Sequence, residues 1–156
     1  LRRVSAAFGR DYDAAVAGSL MLSCDNAHAI HPNHPEHADK NHHVRMNGGV
    51  VVKCNANQRY TTDAWSAALF RVICARAGVP VQLYANRADM PGGSTLGSIA
   101  NTQVSLPTVD IGAAQLAMHS AYETAGAADT AYLYRAIKQA FETSLIAVSD
   151  GAAEIE

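Results

Sequence analysis

The sequence is poor in several kinds of residue, and each shortage excludes a class of protein. Charged residues make up only 17% of the 156 residues while hydrophobic ones reach 49%, which excludes a disordered chain. Three cysteines without a CxxC pair do not form a disulfide framework, and this predicts a reducing, cytoplasmic location. Twelve basic against 14 acidic residues predict no nucleic-acid surface. The apolar runs are far shorter than the ~20 residues of a membrane span, which predicts no membrane partner.

Apolar periodicity divides the chain into alternating helices and strands. The pattern predicts strands at 20–24, 48–55, 81–84 and 106–111. It predicts helices at 4–17, 63–77 and 129–144, a short helix ending near 104, and a frayed tail at 150–156. This alternation is typical of an α/β fold with a largely parallel sheet. Four strands make a small sheet for that class, and the chain lacks an initiator methionine, so we expect that an upstream half is absent.

A long polar loop at 26–47 carries most of the histidines. Six of the seven histidines lie in it, and four recur at every third position: His28, His31, His34 and His37. Pro32 and Pro35 exclude a regular α-helix here. In an extended polyproline-type segment, residues three apart are separated by ~9.3 Å, so successive rings could not easily share one zinc ion without a sharp turn. We therefore interpret most of these rings as loop caps or as solvent-facing.

Three isolated residues and one glycine-rich stretch are candidates for chemistry. Asp25 follows a predicted strand, where open α/β sheets place their sites, although a loop cap is the simpler explanation. Lys53 lies in a run of valines, either snorkelling at a sheet edge or offering a fixed charge to an anionic ligand. His119 alone is typical of a half-buried histidine. The stretch 92–97 lacks the ending of a phosphate-binding loop, so a plain turn is the simpler interpretation.

Five segments change the weight of these candidates when they are taken together. In chain order they are SCDNAHAIHPN at 23–33, NGGVVVK at 47–53, NANQRYTT at 55–62, GSTLG at 93–97 and AMHSAYE at 117–123. As a set they resemble the aspartyl aminopeptidase family of dinuclear zinc metallopeptidases. The resemblance runs from about residue 10 to residue 143. Each segment alone is a weak signal, but the ordered set is specific.

The resemblance implies a fold and an assembly. It implies a three-layer zinc-peptidase α/β fold with a largely parallel sheet, in subunits that assemble as a homo-oligomeric dodecamer. In that family an inserted dimerisation domain interrupts the catalytic domain. Residues 1–156 then correspond to the C-terminal part of the catalytic domain, without its upstream half and without the insertion.

The resemblance also implies roles for individual residues. Of the two zinc ions in a complete site, one is bound by Asp25 and the other by His119. The implied substrate contacts are His28, Lys53, Tyr60, Gly93, Ser94 and Thr95. A lysine at the end of the pocket would pair with the acidic side chain of an amino-terminal Asp or Glu. A tyrosine would donate a hydrogen bond to the substrate or to a developing oxyanion.

The implied reaction is removal of an amino-terminal Asp or Glu from a peptide by metal-activated water. In the family, the general base is the first of two adjacent glutamates, and this sequence contains no Glu-Glu pair. The bridging Asp and an upstream His ligand have no counterpart either. We therefore predict that no catalytic base lies in this chain, that the isolated chain binds zinc poorly, and that it has no peptidase activity.

An alternative from another class is a non-catalytic, His-rich metal-binding or assembly module that keeps the fold. The missing base and the clustered histidines motivate it, and the role of the 31–43 cluster stays open at this point. Metal titration separates the two hypotheses by showing whether binding depends on the cluster or on Asp25 and His119. A complete serine hydrolase is disfavoured because Ser94 has no G-x-S-x-G elbow.

Overall fold

Helices and strands alternate along the chain in the computed structural model, which describes residues 1–149 and 151–156. The strands are β1 (Met21–Cys24), β2 (Ala27–His28), β3 (Val50–Cys54), β4 (Val81–Ala85), β5 (Thr108–Gly112), β6 (Ala114–Leu116), β7 (Thr124–Ala125), β8 (Leu145–Ser149) and β9 (Ala152–Ile155). The helices are α1 (Arg2–Ala7), α2 (Tyr12–Ala17), α3 (Ala64–Arg76), α4 (Leu96–Asn101) and α5 (Ala127–Phe141), with a 3₁₀ helix at Pro35–His37.

The central sheet has four strands in the order β1-β5-β3-β4. The pairs β1/β5 and β3/β4 are parallel, and β5/β3 is antiparallel. The predicted α/β fold with a largely parallel sheet is therefore confirmed. Because β3 runs against β5, the carboxyl ends of β1 and β3 lie at opposite ends of the sheet.

Alternation along the strands gives the sheet two different faces. One face carries Val50 and Val52 of β3 with Val109 and Ile111 of β5, all completely buried against α3 and α5. The other face carries the polar residues Ser23 of β1, Asp110 of β5 and Lys53 of β3. Each of them alternates along its strand with the apolar residues of the first face. It is covered by α4, by the small sheet β2-β6-β7 and by the histidine-rich loop. The layers thus place the polar groups on the face away from α3 and α5.

Local signals explain the helix that forms most of the apolar layer. Asp63 caps α3 by accepting a 2.7 Å hydrogen bond from the Ser66 backbone N–H, and the Ser66 hydroxyl accepts one from Asp63 N at 3.1 Å. Gly78, with φ 62°, follows the helix in the left-handed conformation that ends helices. The buried stripe of α3 includes Phe70 and Cys74, which pack under the sheet.

The single helix predicted at 4–17 is wrong. Gly9 adopts a left-handed φ of 61° and separates α1 from α2. A new helix then begins because the Asp11 carboxylate accepts a 2.8 Å hydrogen bond from Ala14 N. None of the helices among the described residues combines the length and the apolar character of a membrane span.

The histidine-rich loop makes the sharp turns that an extended segment does not have. The backbone turns twice, with His34 N donating to His31 O at 3.1 Å and His37 N donating to His34 O at 3.2 Å. Pro35 does not prevent this, since it occupies the start of the 3₁₀ helix, where a missing N–H group costs no hydrogen bond. The three histidines are therefore much closer together than in an extended chain.

The tail does not fray as predicted. Strands β8 and β9 form an antiparallel hairpin, and Ser144 and Glu156 exchange two backbone hydrogen bonds of 3.1 Å at its open end. Arg76 Nη2 of α3 donates to the Ile155 carbonyl at 2.6 Å and attaches the hairpin to the domain. Of the predicted tail, Asp150 lies outside the described residues.

Candidate functional site

The buried ammonium group of Lys53 is the centre of the polar face of the sheet. Its side chain is only 2% exposed, and its Nζ lies 3.5 Å from Asp25 Oδ2 and 3.4 Å from the Asn26 carbonyl oxygen. It also lies 5.1 Å from the centroid of the Tyr60 ring, within cation–π distance. Burial lowers the pKa of Lys53, and the nearby carboxylates of Asp25 and Asp110 oppose that shift.

Asp25 stands directly after β1, with its side chain 54% exposed above Lys53. Its backbone N–H donates to the Ile111 carbonyl at 2.9 Å, which continues the pairing of β1 with β5. A Cβ atom at Gly112 would lie 1.9 Å from the Asp25 carbonyl oxygen, so only glycine admits this close approach. The arrangement fixes an accessible carboxylate next to a buried cation.

Asp110 is a functional-site candidate that sequence reasoning missed. Its side chain is completely buried in β5 and accepts hydrogen bonds from Thr61 N at 2.7 Å, from Thr61 Oγ1 at 2.8 Å and from the Thr95 hydroxyl. The signal was present in the sequence, because a carboxylate inside the run TVDIG is as unusual as a lysine among valines. Asp110 joins two segments predicted to contact substrate, 55–62 and 93–97.

Tyr60 is kept at the site because the residues that follow it are hydrogen-bonded to Asp110 of β5. The Asp110 N–H donates to Thr62 Oγ1 at 2.8 Å, so the chain after Tyr60 is fastened to β5. The Tyr60 side chain is 6% exposed and meets the Tyr84 ring edge-on, with centroids 6.3 Å apart. Burial, with smaller contributions from Tyr84 and the carboxylates, raises the pKa of Tyr60 to about 12. The phenol thus stays a hydrogen-bond donor throughout the neutral range.

The two predicted histidines lie on the neighbouring strands and turns. His28 of β2 is an exposed residue close to Lys53. Partial burial of its side chain is the main cause of its lowered pKa. The charges of His119 and Lys53 lower it further, while Asp25 opposes them. These four groups are therefore close enough to influence one another electrostatically.

His119 occupies an exposed turn with an unusual backbone. Its φ of 68° and that of Ala117, 54°, are both left-handed, which few residues other than glycine adopt. Its N–H donates to Glu123 Oε1 at 2.6 Å, which holds the turn. Such conformations persist where the surrounding structure imposes them, and they are frequent at functional sites.

The segment 93–95 is attached to the site only at its end. Gly93 and Ser94 are exposed, whereas Thr95 is buried and its hydroxyl group donates a hydrogen bond to the Asp110 carboxylate. The next turn is fixed against β1 by a 3.1 Å hydrogen bond from Gly97 N to Ser23 Oγ. The structure therefore brings Thr95 next to Asp110 and leaves Gly93 and Ser94 at the surface.

The donors at this site suit zinc in kind but do not complete a site. Asp25 and His119 offer an accessible carboxylate and an accessible imidazole, both of which zinc accepts. Zinc sites need three or four protein ligands. Within the described residues, three metal-ligating side chains come within 4.8 Å of one another only at His34, Glu36 and His37. Asp25 and His119 thus fit as part of a zinc site.

A largely parallel α/β sheet with an accessible carboxylate and an accessible imidazole beside it is compatible with a metallohydrolase domain. Residues 1–141 match the family described as aminopeptidase I zinc metalloprotease (M18). The chain belongs to this M18 family of zinc metalloproteases, which confirms the resemblance found in the sequence.

Individual relatives show how much of a family member the chain represents. It is 50% identical over 139 residues to a probable M18 family aminopeptidase 2 of Mycobacterium leprae, covering 88% of the chain and 32% of that protein. The crystal structure of yeast aminopeptidase 1 matches with 30% identity and a TM-score of 0.79, over 90% of the chain and 32% of the yeast protein. A dodecamer of the Saccharomyces cerevisiae enzyme matches with 30% identity and a TM-score of 0.76, over 85% and 29%. The chain spans about a third of the length of these relatives.

Proposed function

We propose that this chain forms part of a dizinc aminopeptidase that removes amino-terminal Asp or Glu from peptides. The observation that carries the proposal is the buried Lys53 ammonium group, held 3.5 Å from the accessible Asp25 carboxylate. A cation fixed at the inner end of a site selects an anionic side chain. It does so most strongly where water is excluded, because the interaction is then little screened.

Lys53 serves two partners in this proposal. An ammonium group has three N–H donors, and the contacts with Asp25 and with the Asn26 carbonyl use two of them. The third can pair with the carboxylate of the substrate's first side chain. The sequence prediction gave Lys53 to the substrate alone. Its 3.5 Å contact with Asp25 supports a second role, orientation of the predicted zinc ligand.

Tyr60 and His28 complete the contacts that this chain offers a substrate. With its pKa raised to about 12, the Tyr60 phenol donates a hydrogen bond at neutral pH, to the peptide carbonyl or to the negative charge that develops there. His28, whose pKa is lowered, is uncharged at neutral pH and can donate or accept one hydrogen bond. Thr95, Ser94 and Gly93 stay predicted substrate contacts, with Thr95 bonded to Asp110 and the other two exposed.

Asp25 and His119 would each hold one zinc ion of the pair, and bound zinc supplies Lewis-acid activation of water and of the substrate carbonyl. The family's base is a member of a Glu-Glu pair that this sequence lacks. With two zinc donors and no base, residues 1–156 by themselves would bind zinc weakly and would not hydrolyse peptides.

We propose that the chain works within a homo-oligomer, and a dodecamer is supported by the solved S. cerevisiae relative. A cytoplasmic location is supported by the three cysteines, all of which are free thiols. The nearly balanced charge supports a peptide partner rather than nucleic acid or an anionic membrane.

One kinetic experiment on the full-length enzyme tests both halves of the proposal. The variants are Asp25→Ala, His119→Ala and Lys53→Met, with Lys40→Met as a control because Lys40 is an exposed lysine of the same charge. Each is assayed with peptides that begin with Asp and with Ala, and zinc content is measured in parallel. The ligand variants should lose at least about 100-fold in kcat/KM on both peptides.

Lys53→Met should act differently. The preference for Asp over Ala should fall about 10- to 100-fold, the value of a hydrogen bond to a charged group, with smaller loss on the Ala peptide. Near wild-type activity in both ligand variants would overturn the aminopeptidase assignment. An unchanged preference in Lys53→Met would overturn only the acidic substrate.

A further inference from the structure

The turns of the histidine-rich loop stack three imidazole rings in a row. The His31 and His34 rings are 5.4 Å apart and tilted by 37°, and the His34 and His37 rings are 5.3 Å apart and tilted by 13°. In a 3₁₀ helix, side chains three residues apart eclipse one another, which explains the nearly parallel second pair. The sequence spacing of three thus becomes spatial proximity.

A carboxylate lies between the second and third rings. Glu36 Oε1 is 3.1 Å from His34 Nδ1 and 3.8 Å from His37 Nε2. The ligand atoms of all three residues lie within 4.8 Å of one another. In a tetrahedral zinc site with bonds of ~2.0–2.1 Å, ligand atoms are roughly 3.3 Å apart. The two contacts of Glu36 bracket this value. Because the His34 and His37 rings are stacked, one imidazole must turn out of the stack before both ring nitrogens point at the same ion.

His31 does not belong to this set of donors. Its Nδ1 accepts a hydrogen bond from Asn33 N at 3.2 Å, which fixes the ring as a cap of the turn. The role predicted for most rings of the loop, capping backbone groups, therefore suits His31. The donors that remain are two imidazoles and one carboxylate, each with its side chain 57–59% exposed and accessible to an ion in solution.

Contacts with the end of β4 hold the backbone of this loop in place. Arg87 donates a hydrogen bond through Nη1 to the Glu36 carbonyl oxygen, and Ala38 pairs with Asn86. The Arg87 guanidinium is paired with Asp89 through two contacts of 2.6 and 2.7 Å, so its charge is already matched and does not compete for the Glu36 carboxylate. The donors are thus mounted on an ordered backbone.

The charge of the cluster favours a cation. The Glu36 carboxylate brings a negative charge to within 3.1 Å of His34 Nδ1 and 3.8 Å of His37 Nε2. Two of the donors, His34 and His37, line a depression of about 380 Å³ that also includes His28 and Tyr84. Two imidazoles and a carboxylate are a set that zinc and the other late first-row divalent ions accept.

We propose that His34, Glu36 and His37 bind one divalent transition-metal ion. The set supplies three protein donors, and water completes the coordination, so the ion exchanges with the solvent. The donors of this site do not include Asp25 or His119, and the proposal does not depend on the proposed peptidase function. It also gives the histidine cluster a role without requiring that catalysis be lost.

The test is a titration of the full-length enzyme with its resident zinc left in place. Isothermal titration calorimetry with Zn²⁺ should show one further equivalent per chain. His34→Ala/His37→Ala should abolish it, and Glu36→Gln should weaken it at least about tenfold, since even partners outside the first coordination shell cost 10- to 100-fold. His43→Ala is the matched control because His43 is an exposed histidine of the same loop outside the cluster, and it should bind as the wild type does.

A structural signature makes the result independent of activity. X-ray absorption at the cobalt edge, after titration with Co²⁺ instead of Zn²⁺ so that the resident zinc does not contribute, should give two imidazole nitrogens and one carboxylate oxygen in the wild type and in His43→Ala. Circular dichroism verifies that each variant is folded. The absence of a further equivalent in the wild type would overturn the proposal. So would a further equivalent that persists in folded His34→Ala/His37→Ala, or that disappears in His43→Ala.

Discussion

Asp110 and Asp39 each accept three hydrogen bonds, yet they lie in opposite surroundings. Asp110 is completely buried in β5, where Thr61 and Thr95 supply its donors. Asp39 lies on the histidine-rich loop with its side chain 26% exposed, in contact with Asn41 N at 3.0 Å, His42 N at 3.1 Å and His42 Nδ1 at 2.7 Å. Water can replace lost partners at Asp39 but not at Asp110. The same number of hydrogen bonds therefore contributes differently to the free energy of unfolding.

The same difference separates the two groups of donors that the structure suggests for metals and substrates. On the sheet face, burial fixes Lys53 at 2% exposure, and the cost of burying its charge is offset by carboxylates around it. On the loop, His34 and Glu36 are more than half exposed and retain freedom to rotate. A preorganised charge suits recognition of one substrate, and an accessible cluster suits an exchanging ion.

The largest expected effect comes from removing the buried carboxylate. Asp110→Ala leaves two Thr61 donors and the Thr95 hydroxyl without a partner, and it removes negative charge near Lys53. We expect a loss of about 3–5 kcal/mol in the free energy of unfolding. Urea denaturation followed by circular dichroism measures it.

Asp39→Ala is the matched comparison, and its loss of stability should be clearly smaller. Equal losses in the two variants would contradict the idea that burial, rather than the number of hydrogen bonds, sets the contribution. Asp13→Ala, at an exposed aspartate of α2, shows the background effect of removing a carboxylate.

The sequence was sufficient for the parts of the fold that follow local periodicity. Strands β1, β3, β4 and β5 and helices α3 and α5 lie within a few residues of their predicted bounds, since each has a continuous apolar stripe. The strands β2 and β6 to β9 were not predicted. They are short or lie near the end of the chain, and they depend on long-range contacts such as that of Arg76 with Ile155.

The candidate site was predictable to the extent that single residues contrast with their neighbours. Lys53 was found because it interrupts a run of valines. Asp110 also stands among apolar residues, but the sequence analysis did not single it out. The contact of Lys53 with Asp25 could not be foreseen, because it requires β3 to run antiparallel to β5. The backbone turn that stacks His34 on His37 is likewise held by a hydrogen bond from Arg87, which is distant in sequence.

Tyr60 gives the second prediction, which concerns stability at high pH. Its pKa in the folded protein is raised to about 12, above the ordinary value of 10.0 expected in the unfolded chain. Its contribution to stability is therefore fully present below pH 10 and is lost as the pH rises towards 12. At most about 2.7 kcal/mol is lost across this window.

The measurement is the free energy of unfolding between pH 9 and 12 for the wild type and for Tyr60→Phe. The variant lacks the titrating group, so its stability should fall less steeply with pH than that of the wild type. Tyr122→Phe, at a tyrosine that is 87% exposed, should keep the wild-type slope. Parallel curves for wild type and Tyr60→Phe would show that the Tyr60 phenol titrates alike in the folded and unfolded chains.

Two glycines give the smallest expected effect and compare the sheet face with a surface turn once more. A Cβ at Gly112 would lie 1.9 Å from the Asp25 carbonyl oxygen, so Gly112→Ala forces the backbone of Asp25 away from β5, at a cost of roughly 1–3 kcal/mol. A Cβ at Gly93 meets no atom within 4 Å, so Gly93→Ala should leave the midpoint of urea unfolding almost unchanged. Because Asp25 is the predicted zinc ligand, Gly112→Ala should also reduce the zinc content of the full-length enzyme while Gly93→Ala does not. A Gly112→Ala enzyme with full zinc content would show that the close approach of Gly112 serves the packing of β1 on β5 and not the position of the Asp25 carboxylate.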